Sequence, residues 1–148
     1  DSTAIPWQVW LLENPSSPIA FPGSIDLYGH DCLHLLLNRG IFSFDEAFVV
    51  GFTMGNCTGV TIGHLPVFKI LSRYFYPHKY RFNLQHFVVF NLGFEYGKKI
   101  EFKNLNSIDF SVYFDCKISD LRNKFGIVLD DIMLLWNAEK VLLRNSMN

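Results

Sequence analysis

The feature that most restricts the fold is an uncharged stretch, residues 47–68, in which no Asp, Glu, Lys or Arg occurs over 22 positions. A single helix of that length would span the apolar core of a bilayer. Polar residues dilute the stretch, however, and Pro66 would break a helix after His64. We therefore expect the end of one buried helix, a turn near Gly59 and a new helix over 66–76, and no membrane span.

Four glycines recur at every fourth position of this stretch: Gly51, Gly55, Gly59 and Gly63. On a helix they would align in a groove that another helix or an acyl chain can approach closely. Simple helix crossing, with the last two glycines in turns, accounts for the same spacing. We favour that simpler interpretation for any individual glycine.

The periodicity of the whole chain predicts a mainly α fold, a single-domain multi-helix bundle over residues 1–148. Residues 1–23 contain four prolines and are expected to form an irregular, extended N-terminal segment. Residues 108–114 alternate like a strand but also suit an extended connector. The remaining helices are expected over 24–38, from Ser43, over 82–99, from a cap at Ser119 to Phe125, and from Asp130 onward.

The composition is apolar for a chain of this size, with 49% hydrophobic and only 18% charged residues. The excess of apolar surface predicts a ligand cavity, a homodimer interface or a membrane contact. A net charge of −1 argues against nucleic acid as a partner. Three cysteines without paired spacing (Cys32, Cys57 and Cys116) indicate a reducing compartment, and with no signal-peptide pattern we expect a cytoplasmic location.

The sharpest chemical pattern combines His30, Asp31, His34 and Glu46. His30 and His34 are four residues apart and share one face of the first helix, with Asp31 on its flank. A short turn follows, so that Glu46 in the next helix faces the end of the first one. These side chains would hold a divalent metal ion and leave positions open; zinc, cobalt, iron, manganese and magnesium are not distinguished. Cys32 points to the opposite side and is a poor ligand candidate.

Ordinary structural roles compete with this interpretation. Ser43-x-x-Glu46 also fits a capping box, in which Glu46 would satisfy backbone N–H groups and bind no metal. Asp26 either orients His30 or is simply an acid in a first helical turn. His78 and His86 are expected to be structural. Five basic residues suit either lipid phosphates or an ordinary solvated face, which we favour: Arg73, Lys79, Arg81, Lys98 and Lys99.

The pattern His-Asp-x-x-His, eleven residues, then Glu resembles the motif of the Coq-four family of ubiquinone (coenzyme Q) biosynthesis proteins. Residues 117–127, with the pair Leu121-Arg122 shortly before Gly126, look like the closing segment of that family. The two segments follow in matching order and enclose most of the chain. The lead-in at 26–29 and the middle at 55–79 depart from the family, and the chain is shorter than eukaryotic members. A divergent, bacterial member is therefore expected.

This resemblance implies a metal-containing protein that binds a prenyl lipid, with the metal on His30, Asp31, His34 and Glu46. It implies oxidative decarboxylation at ring carbon one of a polyprenyl hydroxybenzoate; no catalytic residue beyond the ligands is assigned. The alternative is a non-enzymatic isoprenoid-lipid carrier or a scaffold for quinone-biosynthesis enzymes. Either protein would lie peripherally at the inner face of a membrane. A metal-dependent phosphohydrolase is less favoured because only Asp130, Asp131 and scattered histidines remain as later ligands.

Overall fold

The computed structural model describes residues 25–59 and 83–146. These two ranges form five α-helices and two short 3-10 helices and contain no strand, which confirms the mainly α prediction. The predicted segment 1–23 and the predicted helix 66–76 lie outside them. The helices are α1 (Leu27–Leu36), α2 (Ser43–Asn56), α3 (Leu84–Lys99), η1 (Leu105–Ser107), η2 (Phe110–Tyr113), α4 (Ile118–Phe125) and α5 (Leu129–Ser146).

Two observed helix starts differ from the predicted ones, and a side-chain cap explains the first of them. α1 begins at Leu27 instead of residue 24, because the Asp26 side chain accepts a hydrogen bond from the Gly29 N–H at 2.7 Å and caps the helix. The Ser119 cap is wrong, because Lys117 occupies the cap position of α4. α4 ends, as expected, at a left-handed glycine, Gly126, with φ 73°.

Residues 108–114 do not form the strand that their alternation suggested. The Asp109 side chain accepts from the Ser111 N–H at 3.1 Å, and this bond starts the 3-10 helix η2. Phe110 is buried and contacts Phe125 edge-on, with 5.9 Å between ring centroids. Phe110 therefore anchors a tight turn against α4, whereas Val112 and Phe114 are exposed.

α2 and α3 cross with their backbones in close contact, and glycines on both helices make the crossing possible. A Cβ added at Gly51 or Gly55 would overlap the carbonyl oxygens of α3, and one added at Gly93 would overlap those of α2. Helix crossing is therefore the role of Gly51 and Gly55, as in the simpler interpretation. Gly59 lies in a turn after α2, and Gly63 lies outside the described ranges.

The uncharged stretch begins in the most enclosed helix of the described part of the chain. Every residue of α2 from Ala47 to Asn56 is buried. At its end, the Asn56 side chain donates to the Phe102 carbonyl at 2.8 Å and accepts from the Leu105 N–H at 2.9 Å. These bonds tie the end of α2 to the segment after α3. Among the described helices, none combines the length and apolarity that a membrane crossing requires.

Candidate metal centre

Three side chains from α1 and α2 converge on one point. Glu46 Oε1 lies 2.7 Å from His30 Nε2, and Glu46 Oε2 lies 3.0 Å from His34 Nε2. The two Nε2 atoms are 3.2 Å apart. The side chains of His30, His34 and Glu46 are 19%, 14% and 39% exposed, so that the group is reachable from solvent. The i, i+4 spacing and the short α1–α2 connection produce this convergence, as the sequence predicted for these three residues.

A backbone carbonyl orients His34 from the side away from the cluster. His34 Nδ1 lies 2.8 Å from the carbonyl oxygen of Gly40. Because a carbonyl oxygen only accepts hydrogen bonds, Nδ1 must carry the hydrogen. The Nε2 lone pair of the neutral ring then points at Glu46 and His30. Histidines that bind metals typically have their other ring nitrogen held in this way.

The donor set fits a divalent cation. If the His34 ring is neutral and its hydrogen is on Nδ1, the Nε2 lone pair faces a carboxylate oxygen at 3.0 Å and another imidazole nitrogen at 3.2 Å. Such groups repel each other unless a proton or a metal ion lies between them. Two imidazoles and one carboxylate are the protein ligands of several catalytic zinc sites and of non-haem iron sites, which keep positions open.

The carboxyl group of Glu46 is ionised at neutral pH, as a metal ligand must be. Burial by itself raises its pKa. Hydrogen bonds and positive charge from His30 and His34 outweigh burial and lower the pKa from 4.5 to about 2. The two histidines thus favour the charged form of the carboxylate that they contact.

The structure does not bring the remaining predicted residues into this group. Asp31 is exposed, and the metal-binding group found within the described ranges consists of His30, His34 and Glu46. The role of Asp31 as a fourth ligand therefore stays a prediction. Asp26 caps α1 through the Gly29 N–H, which is an ordinary helical role. Its predicted role in orienting His30 stays a prediction.

Capping at the start of α2 is carried out by the neighbour of Glu46. The Phe42 N–H donates to Asp45 Oδ2 at 3.1 Å, whereas both oxygens of Glu46 face the histidines. The alternative in which Glu46 serves only as a capping residue is therefore wrong. The capping box predicted with Glu46 is thus formed by the preceding residue, Asp45.

A buried ion-pair network lies next to the loop between α1 and α2, behind the candidate metal centre, and sequence reasoning missed it. Arg39 Nε is 3.0 Å from Asp45 Oδ1, and Arg39 Nη2 is 2.9 Å from Glu139 Oε1. The three side chains are only 2%, 7% and 9% exposed. From the sequence alone, Arg39 is simply a basic residue at the end of the first predicted helix. The one available signal was Glu139 itself, an acid that follows Leu135 and Trp136 by helical spacing on the apolar face of α5.

Aromatic rings complete the enclosure of Arg39. The guanidinium carbon lies 4.7 Å from the ring centroid of Phe48 and 4.4 Å from that of Trp136. Nη2 also donates to the Phe44 carbonyl at 3.2 Å. The cation is thus held between α2 and α5 by charge, hydrogen bonds and ring contacts.

The second segment of the sequence resemblance contacts the helix that carries the histidines. Arg122 on α4 donates from Nε to the Leu36 carbonyl at 2.8 Å and from Nη2 to the Leu35 carbonyl at 3.0 Å. These carbonyls belong to the last turn of α1. That of Leu35 also accepts a hydrogen bond from the Asn38 N–H at 3.1 Å. A guanidinium fork satisfies them and fixes the end of α1 next to His34.

His86 lies outside the metal-binding group and has structural contacts. Its Nε2 is 2.8 Å from Ser43 Oγ, and its backbone N–H donates to Asn83 Oδ1 at 3.0 Å. The Phe44 ring stacks on it with 4.5 Å between centroids. Burial lowers the pKa of the His86 imidazole. This residue links the starts of α2 and α3.

Large apolar side chains are exposed on the elements that carry the metal ligands. Leu27 lies one helical turn before His30 and is 55% exposed. Ile41 and Phe42, in the connection between α1 and α2, are 94% and 75% exposed. The loop that leads to Glu46 therefore ends in an uncovered apolar pair.

Comparison with known proteins adds no relative: no protein family, curated protein or solved structure matches this chain. The resemblance of the His-Asp-x-x-His segment to the Coq-four family consequently stays a prediction from the sequence. The candidate metal centre is therefore described by its own geometry alone.

Proposed function

We propose that this protein binds one divalent metal ion through His30, His34 and Glu46 and acts on a prenylated hydroxybenzoate in quinone biosynthesis. The convergence of three ligand atoms within hydrogen-bonding distance carries the first half of this proposal. The second half rests on the motif resemblance in the sequence and on the exposed apolar residues beside the ligands. Asp31, the fourth residue of the predicted site, lies outside the converging group and is not assigned to the metal here.

The chain's own residues have separate tasks in this proposal. His30 and His34 bind as neutral imidazoles, and Glu46 contributes the negative charge that offsets part of the metal charge. Gly40 keeps the hydrogen of His34 on Nδ1, so that Nε2 is available for the metal. A metal ion bound here would supply Lewis acidity at its open positions, where a substrate carboxylate or an oxidant is held.

Replacement of a ring carboxyl by a hydroxyl requires an oxidant, as the bonds and electrons of the reaction show. One carbon–carbon bond breaks with release of CO₂, and one carbon–oxygen bond forms, which is a two-electron oxidation of the ring. With dioxygen as the oxidant, a second product is water, and an external two-electron reductant supplies the remaining electrons. An assay therefore requires the lipid, dioxygen and a reductant together.

The apolar tail of such a substrate needs a surface near the metal. Leu27, Ile41 and Phe42 are exposed on the same helix and loop that position the ligands. Covering apolar surface with an isoprenoid chain gains about 0.8 kcal/mol per buried CH₂ group. We assign these three residues to contact with the lipid tail or with the surface of the membrane that contains it.

The first test is the metal content of untagged protein, measured by elemental mass spectrometry after separate incubation with zinc, cobalt and anaerobic iron(II) and removal of free metal. We expect close to one ion per chain in the wild type and in Glu95→Gln, and a large loss in His34→Ala and Glu46→Gln. Glu95 is the matched control because its carboxylate is 70% exposed on α3 and pairs with Lys98 at 3.6 Å. A wild type that retains none of the three metals overturns the proposal.

The second test separates an enzyme from a carrier. Metal-loaded protein is given a polyprenyl hydroxybenzoate labelled at the carboxyl carbon, with dioxygen and a reductant, and released CO₂ is counted. Release that depends on Glu46 supports catalysis. Lipid binding without release indicates the non-enzymatic carrier, and absence of both leaves a metal-binding protein with a different substrate.

A further inference from the structure

We infer that the buried Arg39–Glu139 pair positions the metal centre, because it fixes the loop whose Gly40 carbonyl orients His34. Glu139 on α5 would thus be a positioning residue for a ligand that is 105 positions earlier in the chain. The effect on metal affinity rests on the proposed function. The effect on the His34 ring does not, since it is present without metal.

Arg39 is attached to the metal site through the backbone. Its N–H donates to the His34 carbonyl at 2.8 Å and closes the end of α1. The carbonyl oxygen of the following residue, Gly40, lies 2.8 Å from His34 Nδ1. Because Arg39 and Gly40 share a peptide bond, a shift of the buried Arg39 side chain displaces the atom that orients the His34 ring.

Asp45 holds the same loop from the side of α2. One of its oxygens pairs with Arg39 Nε at 3.0 Å, and the other accepts from the Phe42 N–H at 3.1 Å. Gly40 is packed against this carboxylate: an added Cβ would lie 3.2 Å from Asp45 Oδ2. The two ends of the loop, 39 and 42, are therefore tied to one side chain, which leaves little freedom between them.

Glu139 completes the support from the opposite side. Its carboxylate oxygens Oε1 and Oε2 accept hydrogen bonds from Arg39 Nη2 at 2.9 and 3.3 Å, whereas Asp45 pairs with Arg39 Nε. The guanidinium fork needs both carboxylates to be fixed in orientation as well as in position. When one carboxylate is removed, a buried cation loses half of its compensation and moves toward water or toward Asp45.

A purely structural role for this network makes a different prediction. In that case Glu139→Gln lowers the free energy of unfolding, but the folded protein keeps the His34 ring and its metal affinity unchanged. A positioning role changes the ring and the affinity in the folded protein. Loss of a hydrogen-bond partner behind a metal-binding histidine typically lowers metal affinity about 10–100-fold, and we expect that range here.

The experiment uses the full chain with Glu139→Gln and the exposed control Glu95→Gln. Nitrogen-15 NMR of the metal-free protein at about pH 9, where histidines are neutral, reports which His34 nitrogen carries the hydrogen. The wild type and Glu95→Gln should show the same share of this hydrogen on Nδ1, and Glu139→Gln should show a smaller share. Cobalt titration then gives the affinity, and urea unfolding verifies that each variant is folded at the titration temperature.

Each outcome decides the inference. A folded Glu139→Gln with an unchanged His34 hydrogen and unchanged cobalt affinity overturns it. A changed His34 hydrogen in a chain whose wild type binds no cobalt supports positioning and rejects the metal function. If Glu139→Gln does not fold, Glu139→Asp replaces it, because it keeps the charge on a side chain one methylene shorter. The inference then requires a change in both the His34 hydrogen position and the cobalt affinity, smaller than that expected for Glu139→Gln.

Discussion

Asp45 and Glu46 are adjacent in the chain, but their carboxylates serve opposite sides of α2. Asp45 turns inward to the buried Arg39 and caps the helix through Phe42, whereas Glu46 turns to His30 and His34. Because Asp45 caps α2, the Glu46 carboxylate is not needed for capping and can contact the two histidines. One carboxylate stabilises the turn and the other is left for a cation.

The number of protein ligands is testable through Asp31. Because Asp31 is exposed and outside the group of three, we expect Asp31→Asn to keep zinc affinity within about threefold of the wild type. His30→Asn should lose more than about 100-fold, beyond the range of outer hydrogen-bond partners. Competition with a chromophoric chelator measures both. Equal losses in the two variants would restore the four-ligand site that the sequence suggested.

Much of the site was predictable because it depends on short-range geometry. The i, i+4 spacing puts His30 and His34 on one face of any helix, and the short connection returns the chain so that Glu46 meets them. The start of α2 at Ser43 and the end of α3 at Lys99 also follow from local patterns. These features require no knowledge of the rest of the fold.

The parts that escaped prediction depend on distant residues. Nothing near Arg39 indicates that Glu139 will approach it from α5, and nothing in α2 indicates that Gly93 is the partner of its glycines. Helix ends were missed where Asp26 competes with the backbone for an N–H group. Local chemistry fixed the ligands, whereas tertiary packing decided which polar groups would be buried.

The crossing of α2 and α3 predicts a severe effect of Gly93→Ala. The added methyl group would overlap the Phe48 carbonyl, a backbone atom that cannot move without shifting α2. We expect a loss of about 3 kcal/mol or more in the free energy of unfolding, at the upper end for overpacked sites. Urea denaturation measures it. Glu95→Ala, exposed on the same helix, is the control, and a Gly93→Ala loss as small as that of the control would mean that the helices are further apart.

We expect replacement of Arg122 by lysine or by alanine to lower the free energy of unfolding. Its fork satisfies the Leu35 and Leu36 carbonyls together, whereas a lysine ammonium reaches them with less directional bonds. Hydrogen bonds that involve a charged group contribute about 1.5–3 kcal/mol, so that Arg122→Ala should lose roughly this amount and Arg122→Lys part of it. Chemical denaturation gives both values. Lys124→Ala, exposed on the same helix, should change stability little; if it matches Arg122→Ala, the fork contributes nothing specific.

Burial of His86 predicts a dependence of stability on pH. Its pKa in the folded protein lies below the ordinary value of 6.5, so that the unfolded chain takes up a proton at a higher pH than the folded one. Between those two pKa values the unfolded state binds more protons, and the free energy of unfolding falls as the pH falls. His86 alone can change the free energy of unfolding by at most about 1.4 kcal/mol per pH unit.

His86→Gln isolates that contribution. Glutamine at the third position of α3 retains the capping geometry with Asn83 but does not titrate. We expect metal-free wild type to lose more stability than His86→Gln between pH 7.5 and pH 5.5 in urea denaturation with a chelator present. All other side chains are the same in the two proteins, so that the difference between the two curves belongs to His86. Parallel curves would show that the folded protein accommodates the charged imidazole as readily as water does.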